Sequence, residues 1–157
     1  MSATAALPAR LFCTFLVAGR SFAVDAAVVT EVFRGKVTTT VPRGPAAIRG
    51  LLNLRGRIVP AIDMRRRLGF GPGTSEEPLH VVVLAAAGEA YSLLVDAIAD
   101  VVEIATPAIE PPTSGPDATA ADCIEGVHAA RGGLVHVLSL ERIVAGLGDT
   151  MAERKTR

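Results

Sequence analysis

The stretch from Ile48 to Asp63, IRGLLNLRGRIVPAID, decides the fold of this chain. Its two apolar runs predict strands over 50–54 and 57–62. The Arg55-Gly56 pair between them predicts a tight corner, because glycine readily supplies a positive φ. The stretch therefore predicts a β-hairpin and not a helix.

Polar residues and a proline add detail to this hairpin. The side-chain amide of Asn53 can satisfy backbone groups of the turn. Pro60 has no N–H to donate, so its strand is expected to have an open edge or a local break. Asp63 and Gly69 predict the cap and the end of a short helix. Three consecutive arginines are expected to form the wet face of that helix, namely Arg65, Arg66 and Arg67.

The rest of the chain is also patterned mainly as short strands. Strands are predicted over 11–17, 21–24, 37–41, 79–86, 90–95 and 101–104, and a last hairpin over 124–137 turns at Gly132-Gly133. One or two helical turns are predicted within 25–33, a long loop over 106–122 and a closing helix over 139–145. Short strands separated by frequent turns predict an all-β domain of the barrel or sandwich type.

The composition is that of one compact domain. Half of the 157 residues are hydrophobic, and 16 basic residues balance 16 acidic ones. Basic residues dominate 1–70 and acidic residues dominate 71–157, so opposite ends of neighbouring molecules would attract at low salt if these halves separate in space. The balanced total and the few aromatic residues argue against nucleic acid as a partner. No apolar run approaches the roughly 18 residues of a membrane span, and the expected location is the cytoplasm.

Residues that could carry catalysis are few and scattered. His80 and His136 lie in apolar strand runs, where a hydrogen-bonded structural histidine is expected. No histidine has metal-ligand spacing from another histidine or a cysteine, so no metal, cofactor or enzyme activity is expected. Cys13 and Cys123 are expected to be reduced. Three carboxylates that follow a strand are expected to form a solvated edge, namely Asp96, Asp100 and Glu103.

The sequence resembles CheW-like domains in order and spacing over about 11–144. GLLNLRGRIVPAID resembles the family signature, and FLVAGRSFAVDAAVVTEV resembles its opening hairpin and helix. SLLVDAIADVVEI and GGLVHVLSLERIV resemble a later Leu-Val-Val-Asp stretch and the closing hairpin and helix. The resemblance implies two closely packed, small five-stranded β-barrels that share an apolar seam, with a few short helices. The expected organisation is a tail over 1–9, a single domain over 10–146 and a charged tail over 147–157.

The resemblance also implies a function without catalysis. CheW-like adaptors couple methyl-accepting chemoreceptors to the histidine kinase CheA. The expected partners are the regulatory domain of CheA, the cytoplasmic receptor tips and further copies of the chain in rings, without direct membrane insertion. A small-ligand-binding β-barrel sensor is the alternative, which a large enclosed cavity would favour.

Family roles carried onto matching positions give an expected partner-binding surface. Val29 and Glu31 fall in the segment linked to receptor and kinase contact, and Gly50 and Arg55 match positions that are sensitive to change. Glu31 and Arg55 also match a salt-bridged pair, which the guanidinium fork of Arg55 is expected to hold bidentately. With two turn residues added, the expected site consists of Val29, Glu31, Gly50, Asn53, Arg55 and Gly56. The chain departs from the family pattern at Ser92, Cys123, His136 and Ser139.

Overall fold

The computed structural model describes residues 8–37, 39–40, 45–111 and 122–155, with side chains up to residue 147. Ten strands of this described part form two five-stranded sheets. Sheet A contains, in spatial order, β8 (Ala97–Ala105), β1 (Ala9–Val17), β2 (Arg20–Asp25), β10 (Gly133–Leu138) and β9 (Ile124–Ala130). Sheet B contains β3 (Val29–Arg34), β6 (Leu79–Leu84), β7 (Ala90–Val95), β5 (Arg57–Asp63) and β4 (Ile48–Leu54). The helices are α1 (Met64–Arg67) and α2 (Leu140–Lys155), with short 3-10 turns at Ala26–Val28 and Thr106–Ala108.

The all-β class and the two five-stranded units are confirmed, but the sheets are not closed barrels. In each sheet the outer strands approach one another, and within the described residues only an isolated bridge spans the gap. Thr39, which follows β3, pairs with Leu51 of β4, and Glu110, which follows β8, pairs with Val127 of β9. Each sheet is therefore a strongly curled sheet with one open seam.

The two sheets are built by an exchange between the halves of the chain. The first half of the chain supplies the hairpin β1–β2 to sheet A, and the strand β3 with the hairpin β4–β5 to sheet B. The second half supplies the hairpin β6–β7 to sheet B, and the strand β8 with the hairpin β9–β10 to sheet A. The parallel pairs β2–β10 and β5–β7 join these parts. The halves also share a sequence pattern, in which Ile48, Gly50, Arg55 and Gly56 recur with the same spacing as Ile124, Gly126, Arg131 and Gly132. Because of the exchange, the basic and acidic halves of the chain do not separate as whole bodies.

The two sheets share an apolar seam, which is the buried core between them and is distinct from the open seam within each sheet. Phe15 and Phe22 of sheet A and Ile62 and Leu93 of sheet B belong to one cluster, and none is more than 2% exposed. Full burial of each such side chain contributes about 1.5–3 kcal/mol. The shared seam implied by the family resemblance is confirmed.

Three elements differ from the sequence-based expectation. The strand expected over 37–41 does not form in the described part of that range, where only Thr39 pairs, in an isolated bridge with Leu51. Only Ala26–Val28 of the region expected to be helical forms a 3-10 turn, and the residues that follow form β3, which pairs with β6. The closing helix α2 is longer than 139–145, and it includes residues expected to be a charged tail. Expectations for 41–44 and 112–121 lie outside the described residues. None of the helices in the described part is long and apolar enough to span a membrane.

Helix α1 fixes α2 through a buried arginine. The carboxylate of Asp63 accepts hydrogen bonds from the backbone N–H groups of Arg65 and Arg66, as expected for a cap. Arg67, however, is not on a wet face: it is 8% exposed and donates to the carbonyl oxygens of Arg142 and Ile143 at 3.0 and 3.1 Å. The expectation of three solvated arginines is wrong for Arg67, because its side chain points toward α2.

Candidate partner-binding surface

Arg55 and Gly56 form the two-residue turn between β4 and β5. Both residues have a positive φ, 54° and 82° respectively, as a type I′ hairpin turn requires at its two central positions. Asn53 Oδ1 accepts a hydrogen bond from the backbone N–H of Gly56 at 3.0 Å. The corner and the role of Asn53 in it are confirmed, and together they orient the backbone that carries Arg55.

The Arg55 side chain reaches from this turn to the other edge of sheet B. Its Nη2 lies 3.4 Å from Oε2 of Glu31 on β3, and the two side chains are 81% and 26% exposed. The expected pair is confirmed, but it consists of this single contact and is not bidentate. An ion pair so exposed contributes about 0–1 kcal/mol to stability. Its main effect is to hold opposite charges side by side on the surface, across the seam of the sheet.

Gly50 acts at the same seam from inside the sheet. The residue is buried in β4, and a Cβ there would overlap the carbonyl oxygen of Thr39 and lie 2.7 Å from Cγ1 of Val37. The segment after β3 can cross β4 closely only because position 50 has no side chain. Backbone hydrogen bonds of 3.1 and 2.6 Å between Thr39 and Leu51 complete the crossing. Gly50 therefore positions the two edges that carry Glu31 and Arg55.

The remaining expected residue, Val29, lies at the start of β3 and packs against the shared core. One exposed residue near the turn that was not expected is apolar. Ile58 pairs with Asn53 across the hairpin and is 62% exposed. Its side chain points away from Val59 and Ala61, which lie on the other face of β5.

His80 pairs with Phe33 of β3 and is a fully buried titratable residue. Its Nδ1 lies 2.6 Å from Ser92 Oγ, its Nε2 lies 2.9 Å from the carbonyl oxygen of Gly35, and its ring stacks on Phe33. Burial lowers the pKa of His80, so the ring is neutral near pH 7. The structural role expected for His80 is confirmed. His136 differs, because its buried Nδ1 has no partner among the described residues.

The three carboxylates after β7 and the two cysteine thiols are further candidates for chemistry. Asp100 and Glu103 are exposed as expected, but Asp96 accepts bidentate hydrogen bonds from Arg65 and one from the Ala18 N–H at 2.7 Å. Burial alone would raise the pKa of Asp96, whereas the Arg65 and Ala18 hydrogen bonds lower it below its usual value. Both cysteines carry free thiols, and burial raises the pKa of Cys123 to about 12.

Across the described residues, no three His, Cys, Asp or Glu side chains gather where they could hold a metal ion. The exposed features near the turn are instead an ion pair, a rigid corner and the apolar side chain of Ile58. Charged and apolar groups of this kind are suited to contact with another protein surface. The fold and this surface together define a two-sheet β-module for protein contact.

Comparisons with known proteins identify the family. The family model described as CheW-like domain matches residues 11–147. The chain is 28% identical over 137 residues to "Chemotaxis protein CheW" of Rhizobium meliloti, covering 85% of this chain and 86% of the relative. It is 30% identical over 130 residues to "Protein FrzA" of Myxococcus xanthus, covering 83% and 81%. The crystal structure of the scaffolding protein TtCheW from Thermoanaerobacter tengcongensis matches with a TM-score of 0.74 at 30% identity, covering 89% of this chain and 90% of that one.

The chain therefore belongs to the CheW-like domain family, and it is a chemotaxis coupling adaptor. The family is one of scaffolds and adaptors, and nothing in the comparisons favours a small-ligand sensor.

Proposed function

We propose that this adaptor works in the cytoplasm, without catalytic activity, and joins the regulatory domain of the histidine kinase CheA to the cytoplasmic tips of methyl-accepting chemoreceptors. The binding unit is the domain over 10–146, and further copies of the chain join it in rings. Family membership supports this proposal, because the curated relatives are chemotaxis proteins.

The single observation that carries the proposal is the exposed Glu31–Arg55 pair at the seam of sheet B. An ion pair this exposed contributes little to the stability of the fold. A role in partner binding therefore accounts better for its position between two edge strands. Glu31 and Arg55, with the neighbouring Ile58, are the contact groups in this proposal. Four residues position them, namely Val29, Gly50, Asn53 and Gly56.

The first test is a calorimetric titration of the full chain with the regulatory domain of its cognate CheA. We expect a Kd of about 1 μM or below, which corresponds to about −8 kcal/mol or more negative. Arg55→Ala is expected to weaken binding about tenfold or more, because contact residues at the centre of an interface account for most of its binding energy.

A matched control separates a binding effect from a general loss of positive charge. Arg131 occupies the equivalent turn of sheet A, is exposed, and forms no ion pair within the described part of the chain. Arg131→Ala should therefore bind as the wild type does. Equal effects of the two substitutions would contradict the proposed site, and no binding by the folded wild-type chain would contradict the proposed kinase partner.

A further inference from the structure

A cleft lies at the end of sheet B opposite the Arg55–Gly56 turn. Three adjoining cavities of about 290, 340 and 320 Å³ meet there, and Arg49 lines all of them. Arg49 stands near the start of β4, and Arg55 follows its end, so about 20 Å of extended chain separates the two residues. The cleft around Arg49 is therefore a separate surface from the Glu31–Arg55 pair.

The cleft around Arg49 has an excess of unpaired positive charge. Four cationic side chains that line it form no ion pair within the described residues, namely Arg34, Lys36, Arg49 and Arg66. A fifth, Arg65, is neutralised by Asp96. Of the other carboxylates in the lining, Asp63 accepts hydrogen bonds from backbone N–H groups of α1 and Gly73, and Glu76 lines the same cavity as Lys36. The balance of the lining is positive.

Arg49 is held in place without being neutralised. Its Nη2 donates to the carbonyl oxygen of Gly73 at 2.8 Å, which fixes the half-buried side chain against the 70–78 loop. A carbonyl oxygen satisfies one N–H group and leaves the other donors of the guanidinium fork available. Water screens the charge of a partly buried arginine less than that of a fully solvated one. Its electrostatic attraction to a carboxylate is therefore stronger.

The wall of the cavity of about 290 Å³ also offers apolar contact. Pro78, Leu79, Leu94 and Val95 line the same cavity as Arg34 and Arg49. The cationic groups come from three separate segments, at 34–36, 49 and 65–66, and border three cavities side by side. A single compact ion would occupy one of them, whereas an extended chain with several carboxylates can contact all three.

We propose that the cleft around Arg49 docks an acidic peptide segment of a partner protein, with its carboxylates on Arg34, Arg49 and Arg66 and an apolar side chain against Leu79. The site adds a second contact to the adaptor and does not depend on the Glu31–Arg55 surface. Charge complementarity identifies the occupant as an acidic peptide, because basic and neutral chains would leave these cations unpaired.

The test uses the full chain and a fluorescently labelled peptide of about twelve residues in which Glu and Leu alternate, followed by anisotropy. A peptide with Gln in place of every Glu is the matched ligand control. We expect the Glu peptide to bind and Arg49→Gln to weaken it about tenfold, the effect of losing a charge-assisted bidentate contact. Arg66→Gln, whose exposed side chain makes no hydrogen bond among the described contacts, should also weaken binding, whereas Arg131→Gln should not.

Three outcomes would overturn the proposal. Equal binding of the Glu and Gln peptides would show that carboxylates are not recognised. Unchanged binding by both Arg49→Gln and Arg66→Gln would show that the peptide binds elsewhere. Displacement of the peptide by inorganic phosphate at a much lower concentration than by free glutamate would identify a compact anion site instead. Circular dichroism and urea unfolding of each variant distinguish lost binding from lost folding.

Discussion

A single methyl group at position 50 is expected to open the seam of sheet B. In Gly50→Ala the new Cβ overlaps the Thr39 carbonyl oxygen, and the crossing segment must move because backbone atoms cannot rotate away. Overpacking of this kind costs about 1–3 kcal/mol. Urea unfolding should show that loss, and kinase binding should weaken as well because the edges that carry Glu31 and Arg55 are displaced.

Gly132→Ala is the matched control for this prediction. A Cβ at Gly132 would meet no atom within 4 Å, so the same chemical change adds a methyl group without a clash. Its free energy of unfolding should stay within about 0.5 kcal/mol of the wild type. If Gly50→Ala is as stable as Gly132→Ala, the close crossing at Thr39 is not a constraint on the fold.

Acid is expected to destabilise the protein between pH 7.5 and 5.5 through His80. Burial lowers the pKa of His80 in the folded state, so the unfolded chain binds the proton more readily. The contribution of neutral His80 to the free energy of unfolding is complete above the ordinary histidine pKa. This contribution is lost as the pH falls below that pKa. Urea midpoints measured across this range should fall with pH in the wild type, and the slope should be smaller in His80→Gln.

Other titrating groups can be separated from His80 in this experiment. The pKa values of Asp96 and Asp122 are lowered, so their contributions are lost only at more acidic pH. His128→Gln serves as the control, because His128 is partly exposed and the one hydrogen bond of its side chain within the described part of the protein is to the Ala108 carbonyl oxygen. A slope that persists unchanged in His80→Gln would assign the pH dependence to another residue.

At the scale of elements, the attachment of α2 depends on Arg67. In Arg67→Ala the carbonyl oxygens of Arg142 and Ile143 lose the guanidinium donor, and Asp122 loses its ion-pair partner. Both carbonyl groups lie within α2 and can still accept from the N–H groups four residues on, so the cost is that of the lost charge-assisted hydrogen bonds, about 1.5–3 kcal/mol each. We expect the free energy of unfolding to fall by about 2–4 kcal/mol in urea denaturation.

Arg66→Ala is the control, since Arg66 is the exposed neighbour on the same short helix. It should change stability by no more than about 0.5 kcal/mol. Gly146→Ala gives an independent view of the same contact, because its Cβ would lie 2.7 Å from Cζ of Arg67. If Arg67→Ala and Arg66→Ala unfold at the same urea concentration, α2 is held mainly by its apolar contacts and not by Arg67.

Elements whose structure is local could be predicted from the sequence. The β4–β5 hairpin follows from Arg55-Gly56 and the apolar runs around it, and the start of α1 follows from Asp63. The strand β3 could not be predicted this way, because its pairing partner β6 lies far along the chain and its own pattern also permits a helical turn. The candidate site was identified through the family resemblance, and strand alternation alone could not reveal the exposed Ile58, because Ile62 lies on the same face of β5 and is fully buried.

The exchange of strands between the sheets could not be predicted from the local sequence pattern either. It depends on the parallel pairs β2–β10 and β5–β7, which join residues far apart in sequence. The exchange also explains why Gly126 in β9 occupies the position equivalent to Gly50 in β4. A Cβ at Gly126 would lie 2.8 Å from the carbonyl oxygen of Glu110, in the segment that bridges to β9. Both seams of the molecule therefore require a glycine at the same place.

Exposed charges are unevenly distributed between the two sheets, although the halves of the chain do not separate; exposed residues of the opposite sign are Arg20 and Arg131 in sheet A and Glu76, Glu77 and Glu89 in the connections of sheet B. Exposed cations of sheet B and its connections include Arg34, Lys36, Arg57 and Arg66, and exposed carboxylates on or beside the outer strands of sheet A include Asp100, Glu103, Glu110 and Glu125. Sheet B of one molecule should therefore attract sheet A of a neighbour. The attraction depends on ionic strength, because the Debye length falls from about 10 Å at 0.1 M to about 3 Å at 1 M salt.

Ring contacts are accordingly expected to weaken as salt rises. Titration of the chain with the CheA regulatory domain, and sedimentation of the chain alone, should show affinity falling steadily between about 0.05 and 0.5 M NaCl. Glu103→Gln should reduce the salt dependence because it removes a carboxylate from an outer strand of sheet A, whereas Glu141→Gln, on the exposed start of α2, should leave it unchanged. Association that is independent of salt would show that the contacts are apolar and that the uneven distribution of charge plays no part in them.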